Sequence, residues 1–194
     1  MNINDSYFHF LNGNINNENI IDVCLYRLEL ILKTGYILSR NKQIEILGNY
    51  EEGVQEVNWN GFDDISICIK TNHNKYNMAF KEYTDDVLNA FELFSVDNSM
   101  CIILEKKLLE HEDIITTSPI YYLPGEFQIR NQIPIKYFTG IGIKRNCHNF
   151  LEQDYEILTK IKFLLQKYQI DLPVIDLINN EKIYSLTKNR RNIL

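Results

Sequence analysis

The stretch of sequence that decides the fold spans residues 124–144 and is "PGEFQIRNQIPIKYFTGIGIK". Its hydrophobic residues alternate with polar or small ones, which predicts two strands joined by a bend. In the first strand the alternation separates polar from apolar side chains: Glu126, Gln128 and Arg130 on one face, Phe127 and Ile129 on the other. Glu126 is the one acidic residue of the stretch. The pattern therefore predicts an apolar face for the core and a polar face suited to lining a cleft.

Further segments on the N-terminal side of this stretch have the pattern of strands. They are residues 6–12 ("SYFHFLN"), the short pieces "YILSR" and "QIEIL", the alternating "DISICIK", and the apolar run "MCIILE". A strand that is apolar on both faces is typical of the centre of a sheet. "MCIILE" is therefore predicted to be a central strand.

Three other segments have the spacing of amphipathic helices. Residues 18–33 form the first, which is predicted to end at Gly35 in the C′ position. Residues 75–94 form the second, and the third begins at a pair similar to a capping box, Asn149 and Glu152, and stops before Pro173. This order of helices and strands predicts an α+β fold. We expect a single domain over residues 1–194, with a core at about 6–144 and a C-terminal helical extension at 149–194.

The composition restricts the class of function. The 194 residues are 45% hydrophobic and 24% charged, as in soluble globular proteins, and the net charge is −6. A protein that coats nucleic acid needs a clustered positive surface, which this balance does not favour. The four cysteines show no C-x-x-C spacing, and the N-terminus lacks the basic and apolar regions of a signal peptide. We expect a protein that works in a cytoplasm, its own or one reached without a cleavable signal, and that does not enter a membrane.

The common catalytic signatures are absent from the sequence. It contains no G-x-G-x-x-G, no G-x-x-x-x-G-K-[ST] and no G-x-S-x-G motif. The four histidines are scattered and show no zinc-binding spacing, so no metal site is expected. The chemistry therefore has to come from a less familiar set of residues.

Several segments, in their order along the chain, resemble the motifs of the ADP-ribosyltransferase superfamily. The nearest branch is the His–Glu branch, which includes the poly(ADP-ribose) polymerases and the DarT-type toxins. The resemblance covers residues 6–144 and rests on short motifs: "YFHFLNG" with its histidine, "RLELILKTGYILSR", "NWNGFDDISICI" with its serine, the strand "IILE", and "GEFQIRNQIPIKYFTGI" with its glutamate.

This resemblance implies a fold of two small packed β-sheets around an NAD cleft, with flanking helices. It implies an enzyme that uses NAD as a substrate, cleaves the nicotinamide–ribose bond and transfers ADP-ribose to a macromolecule. The net charge of −6 favours a protein over nucleic acid as the acceptor, and the small size and the Asn- and Ile-rich composition suit a bacterial or phage toxin or effector. One carboxylate suffices to stabilise the oxocarbenium-like transition state and to hold the ribose.

The resemblance also assigns roles to individual residues. Glu126 takes the place of the catalytic carboxylate, and Arg40 is expected to pair with the NAD pyrophosphate or to act as a catalytic arginine. His9 is expected to hydrogen-bond the NAD ribose, and Ser66 to line the nicotinamide side of the cleft. Stacking on the nicotinamide ring is assigned to either of two tyrosines, Tyr76 or Tyr83.

Other interpretations of these residues stay open at this point. Phe10 and Leu11 follow His9 where the family has a His-x-Thr pattern, and a histidine between two phenylalanines also suits a buried core position. Glu126 is also compatible with a solvated strand, and Arg40 with an exposed surface.

The main alternative function is a catalytically inactive module of the same fold, or an acidic protein-binding or inhibitor module. The chain has 12 tyrosines, a residue that is enriched at protein–protein interfaces. A phosphotransferase acting on RNA is a third possibility, although it requires a basic cleft.

Overall fold

A computed structural model describes residues 6–11, 20–48, 64–69, 100–114, 116–117, 126–143, 152–177 and 179–185. For some residues within the strands and helices, among them Ser66 and Glu126, the description covers the backbone and not the side chain. The predicted helix at 75–94, the loop before "DISICIK", and the residues Tyr76, Tyr83 and Asn149 lie outside the described residues.

The described residues form ten strands and three α-helices. The strands are β1 (Tyr7–Phe10), β2 (Tyr36–Leu38), β3 (Asp64–Ile69), β4 (Met100–Leu104), β5 (Thr116–Thr117), β6 (Glu126–Arg130), β7 (Gln132–Pro134), β8 (Phe138–Ile143), β9 (Val174–Asp176) and β10 (Glu181–Tyr184). The helices are α1 (Ile20–Thr34), α2 (Arg40–Leu47) and α3 (Glu152–Lys167). Two short 3-10 helices, Leu108–Glu110 and Ile135–Tyr137, connect strands. None of the helices in the described part of the chain is long and apolar enough to span a membrane.

The strands form two sheets of unequal size. Eight strands lie in the order β10-β9-β8-β4-β1-β3-β6-β5, and β2 pairs with β7 in a separate two-stranded sheet. All neighbours in the large sheet are antiparallel except β8 and β9, which are parallel. The prediction of a mixed fold with helices and two sheets is confirmed, but only the second sheet is small.

Strand β4 lies in the interior of the large sheet, as its composition predicts. All five of its residues are buried, and it pairs with β1 on one side and β8 on the other. Because a central strand contacts the core on both faces, it has no polar face to turn towards water. Residues 100–104 are therefore apolar because both faces of β4 are buried.

The main core lies between one face of the large sheet and the two long helices. It includes Cys24, Leu28 and Leu32 of α1, Ile161 and Leu165 of α3, and strand residues that alternate along the sheet, among them Met100, Ile102, Leu104, Ile65, Ile129 and Ile141. We call this side of the sheet the core face. On the exposed edges of the two helices, the Lys167 Nζ atom and the Tyr168 hydroxyl donate hydrogen bonds to the Glu29 carboxylate, at 2.6 and 3.0 Å.

The other side of the large sheet is also shielded from water. Phe8, Phe10, Cys101 and Ile103 occupy the alternate positions of β1 and β4, lie outside the main core, and are at most 9% exposed. We call this side the second face. The two faces matter for the site, because each candidate residue falls on one or the other.

Helix α1 ends where the sequence predicts. Gly35 follows the last helical residue with a φ angle of 77°, and its N–H donates a hydrogen bond to the carbonyl of Ile31 at 2.8 Å. A residue with a side chain is strained in this left-handed conformation, whereas glycine is not. The bond satisfies a carbonyl that the end of the helix would otherwise leave without a partner.

Replacement of Gly35 by alanine is expected to lower the free energy of unfolding by about 1 kcal/mol. Nothing lies within 4 Å of a Cβ atom built at this position, so the cost comes from the backbone alone. Gly35→Asn should cost less, because asparagine tolerates the left-handed region better than alanine. Urea denaturation of the two variants checks this, and equal losses for alanine and asparagine would contradict it.

The prediction that "QIEIL" is extended is wrong, because these residues belong to helix α2. Ser39 caps the helix, accepting a hydrogen bond from the Lys42 N–H at 3.4 Å, and Gly48 ends it with a φ angle of 79°. The alternation of Ile44 and Ile46 suggested a strand, yet both side chains are exposed. Capping at both ends of the segment therefore outweighs the two-residue period.

The C-terminal part of the chain does more than add a helix. After α3, strands β9 and β10 extend the large sheet, and β9 pairs in parallel with β8. Residues 149–194, predicted as a helical extension, therefore contribute two strands as well. The prediction of one domain over the whole chain is consistent with this shared sheet and stays a prediction.

Candidate functional site

The three segments that carry the predicted histidine, serine and glutamate are neighbouring strands. The sheet order β1-β3-β6 brings together residues that are more than fifty positions apart in the sequence. Short antiparallel ladders connect them, with Cys68 paired to Phe8 on one side and to Glu126 on the other. The candidate site is therefore a patch of three adjacent strands next to the buried strand β4.

The backbone register places Glu126 in a row that crosses four strands. Ile103 pairs with Phe8, Phe8 with Cys68, and Cys68 with Glu126. Directly opposite positions of an antiparallel sheet lie on the same face, so the position of Glu126 falls on the second face. Phe8 and Ile103, in the same row, are both 0% exposed.

Ser66 occupies a position on the same face as Glu126. It pairs with Gln128 and lies two residues from Cys68, the residue opposite Glu126. Positions related in this diagonal way are separated by about 7–8 Å. A substrate group on the second face is therefore able to lie between these two positions.

His9 occupies the alternate position, on the core face. It pairs with Ile102, a core residue that is 0% exposed. A ring contact supports this assignment of faces. Tyr7, which shares a face with His9, packs edge-on against Phe127, with 5.4 Å between ring centroids. Phe127 is the neighbour of Glu126 in β6 and therefore lies on the face opposite to it. The register thus brings Ser66 and Glu126 to one face and leaves His9 on the other, so the predicted contact of His9 with NAD stays a prediction.

Arg40 lies at the far end of strand β6 from Glu126. It is the first residue of α2, and the N–H of the preceding Ser39 donates a hydrogen bond to the carbonyl of Asn131 at 2.8 Å. Asn131 directly follows β6 and has a φ angle of 67°. Five residues of extended chain separate Asn131 from Glu126, which amounts to about 17 Å. The position of Arg40 is therefore well separated along the sheet from that of Glu126.

Tyr7 is a feature of this region that the sequence analysis did not single out. Burial, with a smaller contribution from the negative charge of Glu110, raises the pKa of its hydroxyl above the ordinary value. The side chain is half-buried on the core face and therefore remains neutral at physiological pH. In the sequence, Tyr7 is marked only by its place in an alternating strand segment, next to Phe8. Such alternation does not distinguish a residue of a functional site from one that packs in the core.

The described residues contain no group of three or more histidine, cysteine or carboxylate side chains that is arranged to hold a metal ion. What the patch offers is a carboxylate position and a hydroxyl position that lie diagonally to each other on adjacent strands, on the same face of the sheet. Such a pair is suited to hydrogen bonds with a sugar and to stabilisation of a developing positive charge.

Comparisons with known proteins give a likeness to solved structures and none in sequence. No protein-family model and no curated protein matches the sequence. Among solved structures, the chain is similar to DarT from Thermus sp. 2.9 in complex with carba-NAD+, with a TM-score of 0.48 and 9% sequence identity over 91% of this chain and 96% of that chain. A TM-score this low at 9% identity does not establish a common fold. The proposal of a function therefore rests on the pairing and register of the strands.

Proposed function

We propose that this protein is an NAD-dependent ADP-ribosyltransferase, which cleaves the nicotinamide–ribose bond and transfers ADP-ribose to a macromolecular acceptor. The observation that carries the proposal is the position of Glu126 on the second face, in one row with the fully buried Phe8 and Ile103. The diagonal position of Ser66 on the adjacent strand supports the same site.

The chemistry requires one well-placed carboxylate. As the bond between the anomeric carbon and the nicotinamide nitrogen breaks, its electron pair leaves with nicotinamide and positive charge develops on the ribose. The carboxylate of Glu126 stabilises this charge, and it does so more strongly where neighbouring side chains exclude water. An acceptor group then bonds to the anomeric carbon and gives its proton to Glu126, which acts as general base.

The remaining residues take roles around this carboxylate. Ser66 lines the nicotinamide side, Arg40 binds the pyrophosphate, and Tyr76 or Tyr83 stacks on the nicotinamide ring. The acceptor that we propose is a protein, and the biological role that of a bacterial or phage toxin or effector. Support for the residue roles comes from the sequence motifs, with the spacing along β6 in addition for Arg40. Support for a protein acceptor comes from the net charge of −6, and support for a toxin or effector from the small size and the composition.

One observation favours a second candidate function. The position of His9 on the core face, paired with buried Ile102, separates it from Ser66 and Glu126. A catalytically inactive module, which keeps the strand arrangement and binds a protein instead of turning over NAD, would need no ribose-binding histidine on the second face.

Incubation of the purified protein with NAD labelled in its adenylate part distinguishes the two functions. The enzyme should release nicotinamide and attach label to acceptors in a cell extract, and it should bind NAD by calorimetry. An inactive module should do none of these. Absence of both turnover and NAD binding would overturn the proposed activity.

A further inference from the structure

Helices α1 and α3 lie side by side and point in the same direction. Two ion pairs cross from one helix to the other, Asp22 to Lys160 at 3.9 Å and Glu29 to Lys167 at 2.6 Å. In both helices the second partner follows the first by seven residues, so the helices are parallel. Seven residues amount to about 10 Å along a helix axis.

Two exposed aromatic side chains lie between these ion pairs. Tyr26 falls between the two acids of α1, and Phe163 between the two lysines of α3. Each ring is three or four residues from the charges that flank it, and residues with this spacing lie on the same side of a helix. Tyr26 is 54% exposed and Phe163 is 63% exposed. We call the surface formed by the two rings and the four charges the helical face.

The two rings are additional to the main core. The inner sides of the helices already supply that core, with Leu28 and Leu32 on α1 and Ile161 and Leu165 on α3. An exposed aromatic patch with charged residues around it is typical of a protein–protein contact, where aromatic side chains are enriched. A partner that covers the helical face gains the free energy of removing both rings from water.

The charges divide the helical face into an acidic row on α1 and a basic row on α3, because in both ion pairs the acid belongs to α1 and the lysine to α3. A two-fold axis parallel to the helices places α1 of one copy against α3 of the other, so that each acid meets a lysine of the second copy at the same height. A two-fold axis across the helices places α1 against α1 and brings like charges together. Charge complementarity therefore selects a second copy of this chain in the first arrangement.

Two further charges border the helical face at its ends. Glu156 lies one turn before Lys160 and forms an ion pair with it at 2.9 Å. Lys33 lies one turn after Glu29. Both residues are outside the span between the two ion pairs, so the division into rows holds where the rings lie.

Two cations fall within this span in the sequence but contact other groups. The Arg27 guanidinium donates a hydrogen bond to the Leu11 carbonyl. The Lys162 Nζ atom lies 4.9 Å from the centre of the Tyr184 ring. These contacts direct both side chains to groups outside the helical face, so the two rows keep their charges.

We propose that the helical face is a homodimer interface, in which α1 of each copy packs against α3 of the other about a two-fold axis parallel to the helices. Tyr26 of one copy then contacts Phe163 of the other, and each lysine lies between two carboxylates. The 15 residues of α1 make the face about 22 Å long, which suits the class of weak and reversible association. The helices cover the core face of the sheet, so the dimer does not depend on the activity proposed above.

Sedimentation equilibrium of the unmodified protein is the first test. Over a concentration range of about 1 μM to about 500 μM, the mass should rise from that of one chain towards that of two, with a Kd in the micromolar range. A protein that keeps the mass of one chain at every concentration would overturn the proposal.

Charge reversal tests the complementarity of the two rows. The double variant Asp22→Lys/Glu29→Lys makes the helical face basic throughout, and Lys160→Glu/Lys167→Glu makes it acidic throughout. Each variant alone should stay a monomer, whereas an equimolar mixture should form dimers with one copy of each, which native mass spectrometry identifies. The ion pairs within each copy are lost in the mixture too, so only contacts between copies explain a recovery. A mixture that stays monomeric would contradict the interface.

Neutralisation of the acidic row tests the direction of the axis. In the proposed arrangement, Asp22→Asn/Glu29→Gln removes attractions between the copies and should raise the Kd about two- to fivefold, as expected for exposed ion pairs. With the axis across the helices, the same change would remove repulsion between two α1 helices. A lower Kd for this variant would therefore overturn the arrangement.

Substitutions of single exposed residues separate the helical face from the rest of the surface. Phe163→Ser should raise the Kd about tenfold or more, because it removes a ring from the centre of the interface. Ile46→Ser changes a residue of α2 that is 50% exposed and should leave the Kd unchanged. Lys107→Glu breaks an exposed ion pair with Glu110 outside the helices and should also have no effect. Equal Kd values for Phe163→Ser and Ile46→Ser would refute the interface.

A measurement on the unmodified protein covers the case in which a variant does not fold. On dilution from dimer to monomer, the NMR signals of the amides in residues 22–29 and 160–167 should shift. The amide of Ile103, which is buried in β4, serves as the reference and should not shift. Signals in both helical segments that do not change on dilution would overturn the proposal.

Discussion

Replacement of Glu126 by glutamine is expected to slow the proposed ADP-ribose transfer by roughly 100-fold or more without unfolding the protein. Glutamine has the size of glutamate but no negative charge, so it cannot stabilise the charge that develops on the ribose. Because Glu126 is the first residue of β6 and its backbone pairs with Cys68, the exchange leaves the sheet hydrogen bonds unchanged. The measurement is nicotinamide release by the purified variant at saturating NAD.

The chain offers a matched control for this experiment. Glu181 is also the first residue of a strand, β10, but it is exposed and lies at the opposite edge of the large sheet. Glu181→Gln makes the same change in charge and should keep full activity. Equal activity of the Glu126 variant and the wild type would refute the catalytic role of Glu126, whereas the proposed activity would survive and require another carboxylate.

Truncation of Ile102 to alanine is expected to lower the free energy of unfolding by about 2–5 kcal/mol. Ile102 is 0% exposed in the middle of β4, where it pairs with His9 on one side and Ile141 on the other. Removal of its side chain costs the transfer free energy of the buried carbons and leaves a cavity between the sheet and the helices. Since the stability of a domain of this size is about 5–15 kcal/mol, such a loss is a large fraction of the total.

Two further variants separate the cavity from other effects of substitution. Ile102→Val removes one methyl group and should cost about 0.5–1.5 kcal/mol. Ile46→Ala alters an isoleucine that is 50% exposed on α2 and should change stability by no more than about 0.5 kcal/mol. Urea denaturation gives all three values, and a loss for Ile102→Ala as small as that for Ile46→Ala would contradict the central position of β4.

The parts of the fold that follow from local pattern agree well with the sequence. Residues 18–33 were expected to be helical and α1 spans Ile20–Thr34, with Gly35 in the left-handed conformation that its position predicts. Helix α2, which the sequence analysis assigns to an extended segment, has a serine before it and a glycine after it, so both capping residues are visible in the sequence. The alternation of Ile44 and Ile46 is the weaker signal, because the fold leaves both side chains exposed.

Alternation predicts the face of its own strand on which a candidate residue lies, but not how the strands are arranged. Alternation within β6 puts Glu126 and Ile129 on opposite faces, and Ile129 is indeed 0% exposed in the core. No local pattern indicates that β1 and β6 flank β3, or that the position of Ser66 falls on the face of Glu126 and that of His9 on the other. These relations depend on pairing between segments that are far apart in the sequence.

The amino-acid sequence alone determined which residues of each strand share a face, where α1 ends, and that β4 is buried on both sides. Those properties follow from periods of 2 and 3.6 residues and from glycine chemistry, which act within a few residues. Only the tertiary structure decided which face of one strand meets which face of the next. The physical reason is that a shift of one residue in register moves every side chain of a strand to the opposite face. The pairing of Cys68 with Phe8 and Glu126 therefore puts the position of Ser66, and not that of His9, on the same face of the sheet as the position of Glu126.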